Sequence, residues 1–178
     1  MELLEIRQLT LHDESAFLAG LKEWEGEDTS WHTFTWKEGM PFGEHVVRLE
    51  NDALGIGVKA GPVPHTMLYG FLDGQIVGRC SIRQELNERL LTNGGNIGYA
   101  VTPRFRKRGF GSQLFKTGLS YISELGRKKV LLTCAPSNTA SVAMIEGNGG
   151  VMENEVFVEE DGEILRRYWI DLKSSSYH

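Results

Sequence analysis

The chain has 178 residues, of which 40% are apolar and 24% charged, with a formal net charge of -5. These values suit one soluble domain with a full core. They exclude a chain built mainly to grip nucleic acid, which needs clustered positive charge. No apolar run has the length of a membrane span, so no membrane partner is expected. The start, Met1-Glu2-Leu3-Leu4-Glu5, lacks the basic and apolar segments of a secretory signal, so a cytoplasmic protein is expected.

Leu3 to Gln8 reads as a first strand. Thr10 and Asp13 then form a capping-box pattern, and Phe17, Leu18, Leu21 and Trp24 recur at helical spacing, predicting a helix to about Glu25. From Gly26 to His65 the periodicity is poor, with one helix expected near Glu44 to Asn51. Met67 to Leu72 and Gln75 to Ile82 are strands joined by Asp73-Gly74, a strong hairpin signal. Asn96 to Thr102 forms another strand, ended by Pro103.

A basic, glycine-containing loop follows. Leu114, Phe115, Gly118, Leu119, Ile122 and Leu125 then mark one face of a helix stopped by Gly126. Val130 to Leu132 is a short strand buried on both faces. Ser137 is placed to cap a helix over Asn138 to Gly147. A last hairpin, Val151 to Glu160 and Ile164 to Leu172, turns at Asp161-Gly162. In its second strand Ile164, Arg166, Tyr168, Ile170 and Leu172 share one face. The polar tail Lys173 to His178 is expected to fray. The whole reads as a mixed α+β single domain over 1–178. Residues 1–65 form an acceptor-side part, 66–134 the sheet with the basic loop, and 135–172 the closing helix and hairpin.

Cys80 and Cys134 each lie in a strand and are read as free, buried thiols of a reducing compartment. No Cys/His cluster has metal-ligand spacing, so no metal is expected.

The segment Tyr99 to Ser112 concentrates the chemistry. It places a strand end, a turn and a helix start in succession, and a helix start carries unpaired N–H groups and partial positive charge suited to anions. Gly109 and Gly111 let the backbone approach a phosphate, and Arg104, Arg106, Lys107 and Arg108 put four basic residues within five positions. A solvated basic turn is the alternative. No Walker A sequence occurs, and Leu114 stands where a dinucleotide fingerprint needs its third glycine. Gly55-Ile56-Gly57 also fails that fingerprint, because Gly61 falls one residue late and Pro62 follows.

Arg106, Gly109 and Gly111 match the [QR]-x-x-G-x-[GA] signature of the GNAT superfamily of acyl-CoA-dependent N-acyltransferases, which this chain resembles. Val101-x-Pro103 upstream, Asn138 to Ser141, and Glu146-x-x-Gly149 are similar to further motifs of that family. Pro64-x-Thr66 and Ile145 to Gly150 resemble a bacterial branch of predicted acetyltransferases with no assigned substrate.

The resemblance implies a central, mostly antiparallel twisted sheet with helices on both faces and a V-shaped splay between strands 96–102 and 130–134. It implies acetyl-CoA as cosubstrate, with its pantetheine arm along Tyr99, Ala100 and Val101 like an added strand. The pyrophosphate would sit on Arg106, Lys107, Arg108, Gly109, Phe110, Gly111 and Ser112, with Asn138 and Ser141 near the arm. Asn138 also fits a helix cap.

The amine acceptor, a small molecule or a protein, would attack the thioester directly, with a backbone N–H near Val101 stabilising the oxyanion. Candidates for proton transfer are Tyr99, Glu25 and Glu85, with Glu23, Asp28, Glu88, His32 and Tyr121 behind them. Many members place a tyrosine seven residues after the motif asparagine, and here that position is Ile145. Trp24, Trp31, Phe34, Trp36 and Phe42 with nearby acids could form an acceptor surface for a cation or simply core. A non-catalytic acyl-CoA sensor is the alternative function, and either a monomer or a homodimer is compatible.

Overall fold

A computed structural model describes residues 2–57 and 63–172. The tail at 173–178 and part of the Gly/Pro-rich loop before His65 lie outside the described residues.

The chain builds two antiparallel sheets. Strands β1 (Glu5–Arg7), β2 (His65–Leu72), β3 (Gln75–Arg83) and β4 (Ile97–Val101) pair in chain order. Strands β5 (Lys129–Cys134), β6 (Val151–Val158) and β7 (Glu163–Asp171) pair in the order β5-β7-β6. Asp73 and Gly74 both take positive φ, 47° and 77°, as a two-residue turn needs to match the twist of β2 and β3.

Helix α1 (Glu14–Lys22) is preceded by a 3-10 turn over Leu11–Asp13, and the Thr10/Asp13 capping box is formed reciprocally. The helix stops at Lys22, earlier than its periodicity predicts, and Trp24 is carried into the core by the turns that follow. Between Gly26 and His65 lie α2 (Ser30–Thr33) and α3 (Phe42–Leu54), the latter a turn longer than expected. A short α4 (Glu88–Thr92), capped by Asn87, lies in the polar stretch between β3 and β4. Five residues present too little periodicity to signal a helix.

Helix α5 (Phe110–Glu124) ties the two sheets together. Its buried face of Leu114, Phe115, Leu119 and Ile122 packs on Leu68, Cys80 and Ile97 of the first sheet and on Val130, Leu132, Tyr168 and Ile170 of the second. Gly118 permits close approach, since a Cβ there would stand 3.1 Å from Cys80 Sγ. Each large buried side chain contributes roughly 1.5–3 kcal/mol. Both cysteines are free and buried.

A second core on the opposite face joins Phe17 of α1 and Phe42, Val46 and Leu49 of α3 to Met67, Tyr69, Phe71 and Ile76. Helix α6 (Thr139–Gly147) is capped by Asn138, whose Oδ1 accepts from the Ser141 amide at 3.1 Å. Ser137, the cap expected from sequence, lies one residue too early. On β7, Tyr168 and Ile170 are buried as their row predicts, but Ile164 is 50% exposed because the hairpin tip projects past the core.

Candidate active site

Strands β4 and β5 make no ladder with each other. They are clasped at Asn96, whose N–H donates to Leu131 O (2.8 Å) and whose Oδ1 accepts from Leu131 N–H (2.9 Å). Gly95 is confined to glycine beside this clasp, since a Cβ would fall 2.3 Å from Leu131 O. Beyond Asn96 the strands part, and two cavities fill the splay. The larger, about 670 Å³, is lined by Trp24, Glu27, Tyr99, Val101, Lys107 and the first turn of α5. The smaller, about 240 Å³, runs between Gly98 on β4 and Cys134 on β5, with Ile145 in its wall and Glu163 at its edge. Trp31, Tyr99, Asn138 and Ser141 border both.

The Tyr99 hydroxyl lies 3.3 Å from Ser141 Oγ, bridging the splay between the two cavities. Its ring meets Phe115 edge-on, and burial raises its pKa, so the phenol keeps its proton at neutral pH. The larger cavity ends on the loop that enters α5. Gly109 adopts φ 83° and leaves the helix start without a side-chain cap. The amides of Phe110, Gly111 and Ser112 therefore have no acceptor within the helix, and Lys107, at φ 61°, turns into the same wall. Side-chain-free Gly111 keeps the approach open, and the donor set fits a diphosphate-bearing ligand.

The basic residues are divided rather than pooled. Arg106 and Lys107 face the cleft. Arg108 pairs with Glu2 at 2.6 Å and lies over the Phe105 and Phe110 rings, while Arg104 pairs with Glu23 at 3.1 Å. Phe110 itself is core, packed with Val77 and Phe105, and presents only its amide. Arg106 is held by Glu27 in a two-pronged contact of 2.9 and 2.6 Å and donates to Val101 O. That pairing lowers the Glu27 pKa.

The sequence-level acid and base candidates are scattered. Glu25 is exposed and lines neither cavity, and Glu85 is an exposed partner of Arg127 at 3.8 Å. Tyr121 bonds Thr66 instead of facing the splay. His32 is buried in the second core, where Nε2 bonds Phe17 O at 2.8 Å and burial lowers its pKa to about 4. Phe42 belongs to that core too, whereas Trp24 and Trp31 reach the cavities. The carboxylates that line the splay among the described residues are Glu27 and Glu163, neither of them a proton-transfer candidate from sequence. Glu163 sits beside a hairpin turn, where an acid usually means solvation, and only the tertiary closure of β7 on β5 brings it to the cavity.

A splayed pair of strands with an anion cradle at the start of the following helix defines an acyl-CoA-dependent N-acyltransferase. The model of the acetyltransferase (GNAT) family matches residues 11–149, and the chain belongs to that family. Solved structures of similar fold include a ribosomal-protein-alanine N-acetyltransferase from Brucella melitensis. It is 19% identical, with a TM-score of 0.65 and coverage of 95% of this chain and 100% of that one. RimJ from Mycobacterium smegmatis, in complex with CoA-disulfide, is 17% identical with a TM-score of 0.68, covering 96% and 82%. The structure of yncA from Salmonella typhimurium, which holds its cofactor acetyl-CoA, is 14% identical with a TM-score of 0.60, covering 98% and 97%. No curated protein matches the sequence. No helix among the described residues is long and apolar enough to cross a membrane.

Proposed function

We propose that the protein moves an acetyl group from acetyl-CoA to an amine by direct attack within a ternary complex. The observation that carries this reading is the amide cradle of Gly109 to Ser112 at the open end of the β4/β5 splay. Acetyl-CoA supplies a thioester, whose C–S bond breaks as the N–C bond forms, while the amine loses one proton and the departing thiolate gains one.

The chain's part is placement. The free edge of β4 at Tyr99 to Val101 offers backbone groups to an extended arm, and a backbone N–H near Val101 is placed to meet developing negative charge. Lys107 and the helix start take the phosphates. The Tyr99 phenol, protonated and at the waist of the splay, fits the donor to the thiolate and takes over from the position occupied by Ile145. Ile145 is 2% exposed and packs beneath Gly150, so it serves the core. Glu163, directly or through water, is placed to accept the amine's proton. Glu27 is a poorer base because Arg106 stabilises its anion.

Thermal melts with acetyl-CoA, CoA and ATP test the cofactor, since a ligand bound only by the folded state raises the midpoint. Both CoA species are expected to raise it and ATP to do so little; no shift with either CoA species refutes the reading. Acceptor-dependent thiol release then tests turnover. Acyl-CoA binding with no thiol release across a broad amine panel would favour a cytoplasmic acyl-CoA sensor, a reading supported by Ile145 and by the ion pair that occupies Glu27.

A further inference from the structure

The face of the first sheet that carries α1 and α2 contains an unusual row on β3. Gly78 and Cys80 face α5, so Arg79, Ser81 and Arg83 alternate to the other side. Arg79 is buried and its donors are used, reaching the Trp31 and Ser30 carbonyls of α2 and Met67 Sδ. It is thereby a fastening for α2.

Arg83 differs. It is half-buried, and its one hydrogen bond among the described residues runs from Nη1 to Gly94 O at 3.1 Å. Among the described residues no carboxylate is paired with it. Burial and the nearby cations Arg79 and Arg89 lower its pKa to about 10, so it remains charged at neutral pH. Beside it Ser81 is 2% exposed, and its Oγ has no hydrogen-bond partner among the described residues. A half-buried cation with spare donors and a buried hydroxyl without a partner both favour a ligand that completes them.

Their setting supplies the ligand's path. Ser81 is in register with Gly98 of β4, and a Cβ at Gly98 would stand 3.2 Å from Arg83 Nη1. Gly98 in turn forms a wall of the smaller cavity in the splay, with Glu163 on the opposite strand pair. The missing side chain thus leaves the guanidinium directly behind the Gly98 backbone that walls this cavity.

We infer that Arg83, with Ser81 beside it and Gly98 leaving the approach open, binds an oxyanion, a carboxylate or phosphate, carried by the amine acceptor. This assignment rests on the acetyl-transfer reading above. Gly98 precedes Val101 by three residues, about 10 Å of strand. The anion and the reacting nitrogen are therefore separated by several bonds, more than the single carbon of an α-amino acid. Glu163 across the slot complements the amine end of such a zwitterion.

The test uses matched amines on the full chain: 6-aminohexanoate against 6-aminohexanamide, triglycine against its amide, and 3-aminopropyl phosphate against 3-aminopropanol. Thiol release gives kcat/KM for each, and melting midpoints with and without acetyl-CoA give binding independently of turnover. The anionic member of at least one pair is expected to be favoured at least tenfold in rate, or to give the larger midpoint shift. In R83Q that ratio should fall to about one, while R83K retains part of it and the acetyl-CoA shift is unchanged. G98A, which puts a methyl against the guanidinium, serves if R83Q does not fold and should also reduce the ratio. Equal treatment of both members of every pair by the wild type overturns the assignment, as does a ratio that survives R83Q or G98A. An absent acetyl-CoA shift strikes the parent reading instead, and the anion shifts measured without acetyl-CoA still decide the role of Arg83. The phosphate pair separates that anion from a carboxylate.

Discussion

Lowering the pH from 7 to 5 offers a proton to two histidines that the fold holds neutral. His32 is 2% exposed with one hydrogen bond, and His45 is fully buried with neither ring nitrogen partnered among the described residues. Both rings pack against Phe17, and burial is the leading cause that lowers each pKa from 6.5 to about 4. The unfolded chain therefore binds protons first as pH falls. Stability is full above pH 6.5, declines from there, and stops declining below about pH 4. At pH 5 the unfolded pKa lies 1.5 units above the solution, which at 1.36 kcal/mol per unit is about 2 kcal/mol for each histidine. Together that is about 4 kcal/mol, a large part of a typical total of about 5–15 kcal/mol.

Urea melts at pH 7 and pH 5 measure the loss. His45→Leu removes one titrating ring and two unpartnered nitrogens, so it should lower the pH sensitivity by about 2 kcal/mol. The reasoning fails if the variant keeps the full wild-type pH dependence, or if the His45 ring titrates near 6.5 in the native protein by NMR.

Asp13 titrates in the opposite sense. Its carboxylate accepts from Arg7 at 2.7 and 2.9 Å and from Thr10, which lowers its pKa to about 2. Its stabilisation is present above pH 3.8 and lost toward pH 2, amounting to about 2 kcal/mol; acid titration of wild type against Asp13→Asn should reveal a difference confined to that window. Gly109→Trp adds a side chain at a φ of 83° inside the cradle and should raise the KM for acetyl-CoA at least tenfold while abolishing the ligand-induced midpoint shift. Tyr99→Phe removes the phenol at the waist of the splay and should lower kcat by roughly 10²-fold with little change in the acetyl-CoA KM; an unchanged kcat would show that the thiolate leaves without this donor.

What could be read from the sequence was mostly local. The Asp73-Gly74 turn, the Thr10/Asp13 box and the glycines of the loop before α5 each act within a few residues, and each is found where its chemistry places it. The helical period at Leu114 to Ile122 marked the face that joins the sheets. The division of the basic cluster was not legible, because partners such as Glu2 for Arg108 and Glu27 for Arg106 lie far away in the chain. Glu25 and Glu85 were plausible by position, yet the direction in which an exposed acid points depends on neighbours outside its segment. Arg83 and Ser81 look like ordinary strand residues until Gly98 is known to lie alongside and the ladder between β4 and β5 is known to be missing.

That missing ladder also bears on cooperativity. The two sheets share no ladder and are linked mainly through one helix face and a group of hydrogen bonds around Asn96, so the native state is close to two blocks sharing a beam. An extended ligand bonded along β4, as proposed for acetyl-CoA, would act as the absent strand and turn the blocks into a single unit for unfolding. Native-state hydrogen exchange should show amides of β4 and β5 opening independently in the free protein and together when acetyl-CoA is present. On the proposed reading the cosubstrate would be chemical reagent and structural element at once, and the supply of acetyl-CoA would set how firmly the molecule holds together.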